Sequence, residues 1–174
     1  QSLNHIIGTL TVELDSSLAI NQITGSIPKE LAMLTVLQIL DLSTNQLTGP
    51  LPVELFVLTS IQQFVVGANM LNGTIPTTIN WPGLTQFDVH KNMLTSTIPS
   101  ALAVDSTQIL DVSMNVLSGS IPVEFASVSQ FQSVNMANNM LSGTIPNIGG
   151  VSTVTLYVTC PACDRMRMVC THMR

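Results

Sequence analysis

The sequence predicts a repeat solenoid, because a motif recurs at a nearly constant step and an apolar spacing recurs with it. The motif reads Asn21-Gln-Ile-Thr-Gly-Ser-Ile-Pro28 at its first occurrence. Five further copies begin at Asn45, Asn69, Asn92, Asn115 and Asn139. Successive Asn residues lie 24, 24, 23, 23 and 24 positions apart, so each repeat has the length of one coil.

The apolar residues before each Asn predict how a coil folds. Leu40 and Leu42, like Phe64 and Val66, are two positions apart, so both side chains of each pair point to the same side of a short strand. One such strand cannot bury its own apolar face, and neighbouring coils must stack to form a core. The same frame runs through Leu31, Leu34 and Leu37; Leu55, Leu58 and Ile61; and Phe125, Val128, Phe131, Val134 and Met136.

These residues resemble the plant-type extracellular leucine-rich repeat, L-x-x-L-x-x-L-x-L-x-x-N-x-L-x-G-x-I-P. That repeat occurs in receptor-kinase ectodomains and polygalacturonase inhibitors, and the resemblance covers roughly residues 14–160. It implies a right-handed coil of the α/β solenoid class with little helix and a parallel β-sheet on its concave face. It also implies an extracellular, secreted or cell-wall protein.

Three recurring residues have predicted structural roles. The repeated Asn is expected to form a buried ladder of amides that bond the backbone of adjacent coils, because an unpaired buried amide is costly. The Gly of each motif permits close backbone approach, and the Pro ends the second strand of the coil. Ser96 replaces Gly in the fourth copy, a departure that should leave the coil intact.

The ends are expected to be less regular than the middle. We predict an irregular N-terminal coil over 1–20, with a distortion or insertion near Leu18 to Ile20, the solenoid over 21–158, and a Cys-containing tail or cap over 159–174. The family's N-terminal cap normally carries a Cys pair that this stretch lacks. Self-association through that end is therefore one expectation.

The charge balance excludes one class of partner. Only 9% of the residues are charged, and residues 1–164 contain ten acids and two bases. Nucleic acid binding needs basic side chains clustered on one face, and this part of the chain has none to cluster. No run reaches the roughly 18 to 20 apolar residues of a membrane-spanning helix.

The outward residues of the concave strands are the first candidate site. We predict a polar ligand surface made by Asp41, Gln63, Gln86, Asp88, His90, Asp111 and Asn135. The three Asp residues are read as a solvated acidic stripe, with contact to a polar ligand or cation as the alternative. Asp88, His90 and Ser113 have the residue types of a hydrolase triad, but an open strand surface lacks oxyanion donors and a water-excluding pocket. No catalytic residue, cofactor or metal is therefore expected.

The residues beside each motif Gly form the second candidate site. They are predicted to lie in two straight rows of hydroxyls, a surface that suits ice or glycan, although Pro50 and Asn72 interrupt the rows. The remaining members are Thr24, Ser26, Thr48, Thr74, Thr95, Thr97, Ser118, Ser120, Ser142 and Thr144.

Two further motifs carry covalent chemistry. Asn72-Gly-Thr74 is a glycosylation sequon. Cys160, Cys163 and Cys170, with His172, have the spacing of four zinc ligands, but one disulfide with a third Cys left over is favoured for a secreted protein.

Two functions remain open from sequence. The first is a non-enzymatic extracellular module that binds a protein, peptide or glycan through its concave face. The second is a structural or surface-active protein that binds ice or stacks end to end into a fibre or wall layer.

Overall fold

The structure, a computed structural model, describes residues 18–148 and the backbone of Thr155–Tyr157. It contains strands β1 to β12 and four 3₁₀ helices, and the described residues include no α-helix. In chain order the strands are Thr24–Ser26, Ile39–Asp41, Gln46–Pro50, Gln63–Val65, Met70–Thr74, Gln86–Asp88, Met93–Thr95, Ile109–Asp111, Ser118–Ser120, Ser133–Asn135, Met140–Ser142 and Thr155–Tyr157. The 3₁₀ helices span Lys29–Met33, Val53–Val57, Ser100–Leu102 and Val123–Ser127.

Each coil contributes one strand to each of two parallel arrays, which confirms the predicted solenoid. The concave sheet has six strands in the order β12-β10-β8-β6-β4-β2. The second sheet is divided into a four-stranded part, β1-β3-β5-β7, and a separate pair, β11-β9. Consecutive coils lie side by side in both arrays, so the fold is built by stacking.

The buried apolar residues are those that the repeat frame places inward. Leu40, Leu42, Phe64 and Val66 are all 0% exposed, as the spacing of the strand pairs predicts. Proline precedes each 3₁₀ helix in an extended conformation, which fits its restricted φ and missing N–H at a helix start. No helix in the described ranges has the length and apolar character needed to cross a bilayer.

The predicted amide ladder is present. The Oδ1 of Asn69 accepts from Leu47 N at 2.9 Å, and its Nδ2 donates to Leu42 O at 3.0 Å and to Val66 O at 3.1 Å. Asn45, Asn92, Asn115 and Asn139 repeat this arrangement one coil apart. Each Asn therefore joins its own coil to the preceding one, and these residues are structural.

The first described coil begins with the same backbone geometry as the next one. Ile20 has φ 55°, close to the φ 54° of Thr44 at the same place in the next coil, and its N–H donates to Ser43 O. Leu18 packs against the core, and its carbonyl accepts from Asn45 Nδ2. Residues 1–17 lie outside the described residues, so the irregular N-terminal coil, with a distortion or insertion near Leu18 to Ile20, stays a prediction.

The third described coil differs from its neighbours in its core. No helix follows Pro76, and Trp81 is buried at 1% exposure with its Nε1 donating to Leu55 O at 3.1 Å. The ring stacks on Phe56 at a centroid distance of 4.5 Å and contacts Phe64 and Phe87. Aromatic packing therefore fills the interior around Trp81, and a second buried aromatic pair, Phe125 with Phe131, lies further along the solenoid.

Glycine at the motif position is required by backbone geometry. Gly119 has φ 78°, in the left-handed region that L side chains rarely adopt, and a Cβ there would lie 2.9 Å from Thr97 Cγ2. Ser96 takes the same conformation, with φ 72°, so the coil continues as predicted. The break in the second sheet nevertheless falls immediately after β7, at Ser96.

Candidate functional site

The concave strands bring the first set of candidate residues into one surface. Asp41, Val65, Asp88, Asp111 and Asn135 are successive cross-strand partners, each half-buried. Gln63 and Gln86 lie two residues earlier than Val65 and Asp88 on the same two strands, and they too are cross-strand partners. Only Asp88 and Asp111 are carboxylates that face each other on adjacent strands, because Val65 separates Asp41 from Asp88.

The three carboxylates are not a freely solvated stripe. Asp41 Oδ1 accepts from the backbone N–H and the hydroxyl of Ser43, at 3.0 and 2.7 Å. Asp111 Oδ1 accepts in the same way from Ser113, at 2.9 and 2.6 Å. One oxygen of each group therefore caps the backbone two residues on, while the partly exposed side chains leave the interpretation as a solvated stripe a prediction.

His90 forms the same kind of turn after Asp88, in the third strand of the row. Its N–H and its Nδ1 contact Asp88 Oδ1 at 2.9 and 2.7 Å, so the imidazole lies back over the strand. A Cβ on Gly67 would lie 2.2 Å from His90 Nδ1, well inside any real contact distance. The absence of a side chain at Gly67 therefore makes room for the ring.

The hydrolase arrangement does not form from these residues. The hydroxyl of Ser113 donates to Asp111 Oδ1 and also lies 3.1 Å from Asn135 Nδ2. A hydroxyl has one proton, and that proton is directed to Asp111 rather than to His90. Asn135 Nδ2 also donates to Asp111 Oδ2 at 3.0 Å, so both oxygens of Asp111 are occupied.

The second set of candidates lies on the outer face of the second sheet, but not in two straight rows. The cross-strand partner of Thr48 is Ser26 on one side and Met70 on the other. Thr74 pairs with Thr95, and Ser120 pairs with Ser142. This register corrects the predicted row geometry. Each residue pairs with one that lies two positions before its own equivalent in the next coil, so equivalent hydroxyls are staggered and not directly opposite.

The hydroxyls on this face fall into two classes. Before the motif Gly, Thr48 and Thr95 donate to the carbonyls of Gly25 and Gly73 in the preceding coil, at 3.4 and 3.0 Å, and Ser118 donates to Ser96 O at 3.5 Å. After the motif Gly position, the side-chain hydroxyls of Ser26, Thr74, Thr97 and Ser120 have no hydrogen-bond partner within the described part of the chain. The post-glycine hydroxyls are therefore the ones open to a ligand. Thr24, Ser142 and Thr144 are exposed at the two ends of this face.

A row of exposed apolar side chains on the second sheet escaped the sequence-based reasoning. The residue after each ladder Asn is Met or Val in the last four motifs, and these side chains are 39 to 52% exposed. The row consists of Met70, Met93, Val116 and Met140. The sequence contained a signal for this row, because the position after the Asn changes from Gln in the first two motifs to Met or Val in the other four. The row lies beside the hydroxyls and interrupts them.

Some predicted sites fall outside the described residues or remain predictions. Cys160, Cys163, Cys170 and His172 lie outside the described ranges. Asn72 is exposed on β5 and is accessible for glycosylation, which stays a prediction. Within residues 18–148, no group of three His, Cys, Asp or Glu residues is arranged to hold a metal ion.

Comparisons with known proteins agree on the fold. A leucine-rich repeat family model matches residues 36–58. No curated protein sequence matches the chain at a significant level. Among solved structures, the ectodomain of the receptor kinase GASSHO1/SCHENGEN3 from Arabidopsis thaliana, in complex with CASPARIAN STRIP INTEGRITY FACTOR 2, is 35% identical with a TM-score of 0.76. The match covers 81% of this chain and 18% of that one.

Two further structures bear on family and function. A chain of the BIR3–SERK2 complex from Arabidopsis thaliana is 34% identical, with a TM-score of 0.65, and 74% of this chain matches 69% of that one. A plant ice-binding protein is 28% identical with a TM-score of 0.64, over 75% of this chain and 44% of that one.

This chain matches only part of each receptor, which limits what can be inferred about it from those proteins. This chain spans only 18 to 25% of the receptor structures such as GASSHO1/SCHENGEN3 and the TDR receptor. The fold nevertheless agrees with those structures over 79 to 81% of this chain, with TM-scores of 0.74 and 0.76. The chain belongs to the plant-type leucine-rich repeat family.

Proposed function

We propose that this chain is a non-enzymatic, extracellular recognition module that binds a peptide or a peptide-like segment of a protein on its concave sheet. The observation that carries the proposal is the six-stranded concave sheet, whose outward residues are partly exposed and mostly polar, with Ile39, Val65 and Ile109 among them. Related folds occur in receptor ectodomains described in complex with peptide ligands, such as HAESA with the peptide hormone IDA.

The charges on the concave sheet favour a ligand with a cationic residue. Asp88 and Asp111 face each other on adjacent strands, and like charges at that separation favour a cation between or above them. Asp88 Oδ2 has no partner within the described residues, whereas its Oδ1 is used by His90. A Lys or Arg side chain of a peptide would supply the missing donor at Asp88 Oδ2.

The proposal excludes catalysis because the candidate nucleophile is already engaged. Ser113 directs its proton to Asp111, and the contact of His90 is with Asp88. Nucleophilic catalysis needs a hydroxyl bonded to its general base, together with donors for the developing oxyanion. The concave residues instead form polar contacts along the strands, which suits binding.

The test uses two pools of short peptides, one containing Lys and Arg and the other containing Asp and Glu at the same positions. We expect the basic pool to bind the full chain and to bind more weakly at higher salt, because surface charges are screened. Asp88→Asn retains an acceptor for His90 and removes the charge, so it should weaken that binding about threefold to tenfold.

Asp105→Asn is the matched control, since Asp105 contacts Ser129 outside the concave sheet. It removes the same charge and should leave binding unchanged. Equal binding of the acidic and basic pools would overturn the proposed ligand chemistry. Binding of neither pool would overturn peptide recognition itself.

A second candidate function is ice binding by the outer face of the second sheet. The unengaged hydroxyls of Thr74 and Thr97 and the similarity to a plant ice-binding protein favour it. The register opposes it, because Met70 and Met93 interrupt the hydroxyls where a flat repeating surface is needed. Thermal hysteresis and ice recrystallisation should be measured on unglycosylated protein and on Thr95→Tyr/Thr97→Tyr. Strong hysteresis that the double change abolishes would favour ice binding over recognition.

End-to-end stacking is the remaining structural alternative. A monomeric recognition module has the same molar mass at every concentration, whereas stacking through the N-terminal end would make the mass rise with concentration. Sedimentation of the full chain over a wide concentration range separates the two outcomes.

The Cys tail is proposed to contain one disulfide rather than zinc. A secreted protein favours disulfides, and three Cys residues leave one thiol over. We expect a thiol count of about one under denaturing, non-reducing conditions, without bound metal. Stoichiometric zinc that is lost on unfolding would reverse this assignment.

A further inference from the structure

A groove opens on the second sheet where that sheet is interrupted. Its volume is about 370 Å³, at the lower end of the range of small-molecule sites. Two irregularities of the repeat meet here: Ser96 ends the four-stranded part of the sheet, and the coil that includes Thr77 has no 3₁₀ helix after its Pro.

Four hydroxyls line the groove. They belong to Thr77, Thr97, Ser100 and Ser120, all of which are exposed. None of them hydrogen-bonds to another residue in the described part of the chain. Thr95 and Ser118, two positions before Thr97 and Ser120, do use their hydroxyls on backbone carbonyls. The groove thus collects hydroxyls that the fold itself leaves without a partner.

The remaining lining is apolar and uncharged. Ile98 and Pro99 are buried beneath the hydroxyls, and Pro122 lies beside them. No acidic or basic side chain lines the groove. A phosphate or carboxylate ligand would lack a cationic partner, a metal ion would lack anionic ligands, and a wholly apolar ligand would cover four hydroxyls without bonding them.

We propose that this groove is a binding subsite for a neutral saccharide. Sugar hydroxyls both donate and accept, as Thr and Ser hydroxyls do, and the C–H faces of a sugar ring match the apolar lining of Ile98, Pro99 and Pro122. The site lies on the second sheet, so it goes beyond the peptide recognition proposed for the concave sheet. Its failure would leave that proposal intact.

The test titrates the full chain, produced without glycosylation, with three neutral tetrasaccharides: cellotetraose, laminaritetraose and mannotetraose. Tetragalacturonic acid serves as the charged comparison. Binding is followed by the backbone amide signals of Thr97, Ile98, Ser100, Ser120 and Ile121 up to about 10 mM sugar. We expect saturable shifts at these residues with at least one neutral probe and weaker shifts with the acid.

Thr97→Val/Ser120→Ala removes two hydroxyls with little change in shape. It should weaken binding about tenfold, because each lost hydrogen bond leaves a sugar hydroxyl unpaired. Thr74→Val is the matched control: it lies in the same post-glycine position, one coil earlier, outside the groove. It should bind as the parent does.

Three results would overturn the proposal. They are no saturable shift with any neutral probe, shifts located on other residues, and equal loss of binding in Thr74→Val. A circular dichroism spectrum shared by all three proteins shows that the variants retain the fold.

Discussion

The concave sheet and the second sheet are built from the same repeats, yet their strands pair in different registers. In the concave sheet, Ile39 pairs with Gln63 and Gln63 with Gln86, so the register equals the repeat step of 24 or 23 residues. In the second sheet, Thr24 pairs with Gln46 and Asn72 with Met93, which is two residues short of that step. Equivalent side chains are direct neighbours in the first sheet and staggered in the second.

The difference shows how a repeat can hold one face constant while the other varies. The concave strands rest on buried Leu, Phe and Val side chains and on the asparagine ladder beside them, and both are present in every described coil. In the second sheet, regular strand pairing ends between β7 and β9 where Ser96 replaces a left-handed Gly, although the N–H groups of Val116 and Ser118 still donate to Leu94 O and Ser96 O across that boundary. Its inward Leu residues, such as Leu47 and Leu71, are as buried as those of the concave sheet. We therefore expect both sheets to tolerate few inward changes and the outward face of the second sheet to tolerate many.

The largest expected effect is at Leu40, whose side chain is fully buried under the concave sheet. Leu40→Asp places a charge without a partner in the core and should lower the free energy of unfolding by more than about 4 kcal/mol. Ile39→Asp is the matched control, because Ile39 is 36% exposed on the same strand and should lose less than about 1 kcal/mol. Urea denaturation measures both, and equal losses would show that the strand frame is displaced by one residue.

The next effect concerns the asparagine ladder. Asn92 is 8% exposed and its side chain bonds Leu71 N, Val66 O and Val89 O. Asn92→Ala leaves the buried Leu71 N–H without its acceptor and removes one of the two amide donors to Val66 O and to Val89 O, which keep Asn69 and Asn115. It should cost about 1 to 3 kcal/mol. Asn72→Ala, on the exposed face of β5, should be nearly neutral in unglycosylated protein. A neutral result at Asn92 would contradict the role of the ladder.

The third prediction concerns the break in the second sheet. Ser96 has φ 72°, which costs free energy for any residue with a side chain. Ser96→Gly should raise the free energy of unfolding by about 0.5 to 1 kcal/mol, after the greater freedom of Gly in the unfolded chain is subtracted. Ser96→Ala keeps a Cβ at this φ and should give no gain. A loss of stability in Ser96→Gly would refute the explanation by backbone strain.

The smallest effect is a dependence of stability on pH at Asp105. The Ser129 N–H, and then the Ser129 hydroxyl, bond the carboxylate and lower the pKa of Asp105 below its ordinary value of 3.8. The unfolded chain then takes up the proton first, so the stabilisation is complete above pH 3.8 and is lost as the pH falls through the lowered pKa.

Asp105→Asn measures that contribution. The difference in unfolding free energy between parent and variant should be present near pH 6 and should shrink toward about pH 2. Ser129→Ala should show only part of this pH dependence being lost, because it removes the hydroxyl but keeps the Ser129 N–H, the larger cause of the lowered pKa of Asp105. A difference that grows on acidification would contradict the sign.

The coil and its inward residues could be predicted from the sequence, because the same spacing of apolar residues recurs in successive repeats. Leu40, Phe64 and Val134 were all placed inward by spacing alone, and all are buried. Features that occur once were not predictable in this way. The stacking of Trp81 on Phe56 depends on the absence of a 3₁₀ helix in a single coil.

The candidate sites were predicted as residues but not as geometry. Asp41 and Asp111 were placed correctly on the concave strands, but their bonds to Ser43 and Ser113 depend on side-chain rotamers that no spacing reveals. The hydroxyl rows were drawn straight because the repeat step was taken as the register. The stagger between Ser26 and Thr48 is a property of backbone pairing, which a list of repeats does not contain.

The central claim is that the concave sheet binds a peptide while the second sheet does not, and one measurement tests it most directly. Backbone amide signals of the full chain are followed during titration with the basic peptide pool. The account predicts shifts in residues 63–65, 86–90 and 109–113, with the signals of 93–97 and 118–120 unchanged. Shifts confined to the second-sheet residues would contradict it.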